Sequence, residues 1–157
     1  MRCMTNEYTY SRLEVYRLKQ WSRAQIMKGL QKMVPEIDHL KTSEEFGLEK
    51  GGIWTIGEES GWLFKEFIPF KIEFALDETL FSDYGYTDPK YKGVKTKAMY
   101  PHGIHREIYS WLEERGWYPQ WYDGGTLFFW KDMHQIAVDI IDRIVSDSGG
   151  KTKGMVL

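Results

Sequence analysis

Cysteine is almost missing from this chain of 157 residues. Cys3 stands alone, so no internal disulfide can form, and that usage fits a reducing compartment. No apolar run approaches the roughly 20 residues a membrane helix needs. The opening MRCMTNEYTY carries no apolar stretch of the kind a secretory leader requires. Charge of one sign is lacking as well: 21 Lys and Arg against 23 Asp and Glu leave a net of −2. That balance excludes a uniformly basic nucleic-acid binder and an acidic tail protein. The expectation is a cytoplasmic globular domain.

Catalytic motifs are scarce too. There is no Gly-x-Ser-x-Gly elbow, no glycine-rich phosphate loop and no dinucleotide fingerprint. Gly149-Gly150-Lys151-Thr152 looks like the end of a phosphate loop, but its first glycine and its leading strand are missing. Cys3 has no adjoining helix N-terminus to activate it as a nucleophile. No cofactor is implied.

Aromatic residues are what the chain has in excess: 8 Phe, 10 Tyr and 7 Trp. With 42% hydrophobic residues, this excludes a disordered chain, which would be poor in aromatics. The length suits one domain of ordinary size. Residues 10–147 are expected to form it, with 1–9 and 148–157 as flexible ends.

Periodicity predicts three helices. The first runs from Tyr10 to Val34, because Leu13, Tyr16, Ala24, Met27, Leu30 and Val34 recur at helical steps. Ser11 is its candidate N-cap and Pro35 its stop. The second opens at His102-Gly103, carries Ile104, Ile108, Trp111 and Leu112, and closes at Gly116. The third spans Asp132 to Val145 with Ile136, Ala137, Ile140, Ile141 and Ile144 turned inward.

Five strands are expected. Ile53–Ile56 and Trp62–Lys65 read as a hairpin across a glycine-bounded link. Phe70–Leu76 alternates apolar with polar residues, the signature of a half-buried strand. Trp117–Tyr122 and Thr126–Trp130 flank Asp123-Gly124-Gly125, the strongest hairpin signal present. Pro119 assigns its strand to an edge. Residues 36–52 read as loop, with Thr42 or Ser43 ahead of Glu45 able to start a helical turn. Residues 77–102 read as a long loop, either functional or a mobile connector of no significance. The order is α-β-β-β-loop-α-β-β-α, an α+β domain whose antiparallel sheet has helices on one face. From Phe70 onward it follows the ferredoxin-like split order, short of a final strand.

Three classes of function compete. His102 and His105 form an H-x-x-H pair, and His134 is a third imidazole that could complete a zinc site. A boundary histidine with one hydrogen-bond partner is the plainer explanation of each. Asp77, Glu78 and Asp83 cluster at the end of the Phe70–Leu76 run and could hold Mg²⁺ or act as an acid–base pair in a hydrolase or nuclease. They are equally ordinary as turn residues. The run Lys90, Lys92, Lys95 and Lys97 is interleaved with Tyr84, Tyr86, Tyr91 and Tyr100. Cations on phosphates and rings on bases would suit a nucleic acid or nucleotide. A solvated lysine loop with its tyrosines packed back on the body explains it as well.

The reading favoured over these is non-enzymatic binding to a protein, self-association included. Trp117, Trp121, Tyr122 and Trp130 lie in a hairpin that is aromatic on both faces. One layer of helices can bury only one face, so the other needs a second layer or a partner. Contact is expected on this hairpin and on residues 84–100. Small size, aromatic load and absent motifs together suggest a phage or viral accessory protein, although no motif carries that suggestion.

Overall fold

The computed structural model describes residues 20–47, 50–57, 61–133, 141 and 144–146. These form an α+β fold around one four-stranded antiparallel sheet. Helix α1 (Arg23–Met33) is capped by Ser22; the expected N-cap Ser11 lies outside the described residues. Ser22 and Gln25 close a reciprocal capping box, and residues 20–22 are not helical, so the helix expected from Tyr10 to Val34 is not continuous through them. Its C-terminus falls at Val34, ahead of Pro35, as expected.

A two-residue strand β1 (Lys41–Thr42) leads into the single-turn helix α2 (Ser43–Phe46). The Glu45 carboxylate reaches back to accept from the N–H and hydroxyl of Thr42, at 2.9 and 3.0 Å. Strand β2 (Ile53–Ile56) follows. Its neighbours are not those the sequence predicted: β2 pairs with β1 and with β4 (Thr126–Lys131). Trp62–Lys65 is not a strand. Phe64 instead bridges to Phe67 across a tight turn, while Phe70 bridges to Ile104. Phe70–Leu76 is not a strand either, since Ile72–Leu76 is a 3-10 turn. Alternation over seven residues also places Phe70 and Phe74 four apart, and tertiary contact selects the turn. The ferredoxin-like order is lost with that strand.

Residues 77–102 are structured by short 3-10 turns, a bridge between Leu80 and Lys95, and helix α3 (Thr96–Met99). Helix α4 (Arg106–Glu114) is capped by His105 and closed by Gly116 at φ 78. The hairpin β3 (Trp117–Asp123) and β4 forms as expected, with β3 at the sheet edge and a bulge between Trp121 and Asp123. In the expected last helix, His134, Ile136, Ala137 and Ile140 lie outside the described residues. Met133, Ile141 and residues 144–146 are helical. Ile141 and Ile144 are exposed rather than inward-facing.

Register assigns the two faces of the sheet. Ile53 stands beside Phe129 and Pro119, and Thr55 beside Leu127 and Trp121. This face receives Ile26 and Leu30 of α1 and Ile108 and Leu112 of α4, all buried in the main core. Trp54, Phe128, Trp130 and Tyr118 alternate onto the opposite face. Helices therefore do not occupy one face only: Phe46 of α2 packs on the second. Phe74, Phe81, Tyr91, Met99 and Tyr100 form a second, smaller cluster beside the main core.

Candidate interaction surface

The second face of the sheet is an aromatic platform. Phe46 meets Trp54, Phe128 and Tyr122 edge-on, with centroids 5.1, 5.1 and 5.3 Å apart. Trp130 lies parallel to Phe128 at 5.4 Å. Edge-to-face and offset pairs of this kind are each worth about 0.5–1.5 kcal/mol beyond area burial. Tyr122 and Tyr118 border the platform and are 58% and 42% exposed.

Several devices hold the rings in place. The Trp130 indole N–H donates to Gln120 Oε1 at 2.9 Å. Its ring lies where a Cβ on residue 52 would sit, 2.4 Å away, so Gly52 is required for that approach. The Ser43 hydroxyl accepts from the Gly52 N–H at 2.9 Å. Arg23 of α1 donates to Glu44 at 2.6 Å and to the Gly52 carbonyl. Glu44 is held down to about 2 by its own backbone N–H, the Gly51 N–H and Arg23, so it stays ionised. The α2 turn carrying Phe46 is thus tied both to α1 and to the start of β2.

The hairpin's other rings are otherwise employed. Trp117 is buried and donates its indole N–H to the Trp21 carbonyl at 2.7 Å. Trp121 is half-buried, lies over Gly57 and donates to the His102 carbonyl at 2.7 Å. Of the residues singled out from sequence, only Tyr122 and Trp130 come together on the platform. Phe46 and Trp54 join them there, around Phe128 of the same hairpin. Sequence reasoning missed both, although a helical turn started by Thr42 with an apolar residue at its end pointed to Phe46.

In the 84–100 segment three of the four tyrosines turn inward. Tyr91 and Tyr100 are buried, and Tyr86 stacks on Phe81 at 4.2 Å. Tyr84 is half exposed, and its phenol donates to Asp77. Lys95 and Lys97 both bind Glu78, at 2.9 and 2.7 Å. Lys90 sits over the Tyr91 ring and 3.9 Å from Asp88, while Lys92 is exposed.

The acidic candidates have partners of their own. Asp77 accepts from the Thr79 hydroxyl, the Tyr84 phenol and the Thr79 N–H, which lower its pKa in that order. Glu78 is lowered to about 2 by Lys97 and Lys95. Asp83 is exposed on the 3-10 turn Phe81–Tyr84. His102 is exposed and stacks on Tyr109, whereas His105 is buried. The two imidazoles therefore do not share a helix face. Among the described residues, no three His, Cys, Asp or Glu side chains group closely enough to hold a metal ion, and no helix is long and apolar enough to cross a membrane.

No protein-family profile, curated protein or solved structure matches this chain.

Proposed function

We propose that this domain works by binding a protein through the aromatic face of its sheet. One observation carries the reading. A braced platform of the half-buried Phe46, Trp54 and Trp130, packed over the buried Phe128, ends in the exposed phenols of Tyr118 and Tyr122. Rigid aromatic area with polar tips is what interface centres use, because little side-chain entropy is lost on contact. Lateral strand addition is disfavoured at both edges. β1 has two residues, and β3 carries Pro119 and a bulge. A partner therefore sits on the face rather than extending the ladder.

The nucleic-acid reading has less support. Two of its four lysines are engaged by Glu78, and two of its tyrosines are buried.

A photo-crosslinking phenylalanine at position 122, compared with one at position 92, tests the choice. Adducts in cell extract should be protein and should form at 122. They should disappear when Tyr118 is replaced by serine, with the melting temperature shifted by no more than about 2 °C for so exposed a ring. Nucleic-acid adducts at 92 would transfer the function to the lysine run.

A further inference from the structure

His105 is fully buried where the two hydrophobic clusters meet. Phe64 of the main core lies 5.0 Å from its ring, with Phe67 and Tyr100 of the smaller cluster at 5.5 and 5.6 Å. Its Nδ1 accepts from the Glu107 N–H at 3.1 Å, capping α4. That role assigns the proton of the neutral ring to Nε2, which has no hydrogen-bond partner among the surrounding rings. Backbone bonds complete the seam: His105 N–H to the Pro69 carbonyl at 2.9 Å and Lys71 N–H to the Gly103 carbonyl at 2.8 Å.

We propose that His105 is an acid-released latch: while neutral it holds the 67–100 segment against the N-terminus of α4, and protonation frees that segment ahead of the sheet.

The chemistry is local. A proton on Nδ1 would turn the cap acceptor into a donor facing another donor, the Glu107 N–H. It would also add positive charge at a helix N-terminus, where the backbone dipole already disfavours it. The charged groups acting on the ring compound this. Lys65 on the 64–67 turn, Lys90 beside Tyr91, and Arg106 on α4 are cationic, and only Glu107 opposes them. Glu107 is itself engaged by Lys65 at 2.8 Å. Burial raises the Tyr100 phenol, so it stays neutral in acid. Burial is the largest influence, and with these charges it lowers the imidazole from 6.5 to about 4.

The sign follows. A folded-state value below the unfolded one means that the latch is fully effective above pH 6.5 and weakens as pH falls toward 4. Between pH 7.5 and 5, the opening constant of the segment should rise about thirtyfold by this linkage.

The test has two readouts. Nitrogen chemical shifts of the wild-type ring should show the Nε2–H form, protonating well below 6.5. Amide exchange, corrected for its intrinsic pH dependence, should show the thirtyfold rise at Phe81 and Tyr100 and a smaller one at Thr55 and Leu127. His105→Asn retains an acceptor for the cap without the titration, and should flatten the response. Equal pH responses in the variant and wild type would overturn the latch. So would a ring that titrates at its ordinary value in the folded protein, and that result stands even if the variant fails to fold.

Discussion

Gly29 occupies the middle of α1, where helix propensity alone would favour alanine by up to about 1 kcal/mol. The structure reverses that preference. A Cβ at residue 29 would lie 2.3 Å from the six-membered ring of Trp111, far inside contact distance. Trp111 cannot easily retreat. It meets Trp21 edge-on at 5.6 Å, and the Arg115 guanidinium lies over both rings at 4.5 and 4.7 Å. Gly29→Ala should therefore destabilise the protein by about 1–2 kcal/mol, since overpacking outweighs the propensity gain. Chemical denaturation would measure it, and a stabilised variant would show that Trp111 is free to move. Residue 29 looks like a weak spot in the sequence because its neighbour is 82 positions away. The same holds for Trp117 and Trp121, which cannot be told from Tyr118 and Tyr122 by type. Parity along β3 separates them, and only register to β4 shows which parity meets the helices.

At the level of elements, local signals were legible and distant ones were not. Asp123-Gly124-Gly125 announces its own hairpin, as Gly116 and Pro35 announce the ends of α4 and α1. Ile53–Ile56 is legible as a strand, but its partners lie at Lys41 and Thr126, so adjacency suggested the wrong hairpin. The true tight turn nearby is Lys65-Glu66, hidden because neither residue is typical there. Both adopt positive φ, 50 and 73, between bonds of 2.8 and 2.9 Å linking Phe64 and Phe67. A two-residue connection with both residues left-handed favours Asn-Gly. Glu66 is exposed, so Glu66→Gly should relieve roughly 1–2 kcal/mol of left-handed cost. About 0.5–1 kcal/mol is returned as added chain entropy. The net expectation is a stabilisation of about 0.5–1 kcal/mol, visible as a raised denaturation midpoint with an unchanged slope. Loss of stability would mean that Glu66 makes a contact beyond the turn.

For the molecule as a whole, the aromatic excess among the described residues divides into three main populations with different work. One fills the main core beside isoleucines and leucines, and another lines the sheet's second face. The third forms a separate cluster built almost entirely from residues 67–100. That last division predicts stepwise loss of structure, because units with their own contacts open with their own free energies. Phe81 is the natural probe. It is buried, stacks on Tyr86 and meets Tyr91 edge-on at 5.5 Å. Yet it belongs to the smaller cluster alone. Phe81→Ala should cost about 3–5 kcal/mol locally, and that cost should appear first in the amides of residues 81–100. The ladder amides of β2 and β4 should keep their protection, because Ile53, Leu127 and Phe129 remain buried with α1 and α4. Site-resolved amide exchange decides the matter. If Thr55 and Leu127 lose protection by the same amount as Tyr91 and Tyr100, the two clusters form one cooperative unit, and the seam at His105 transmits stress instead of confining it.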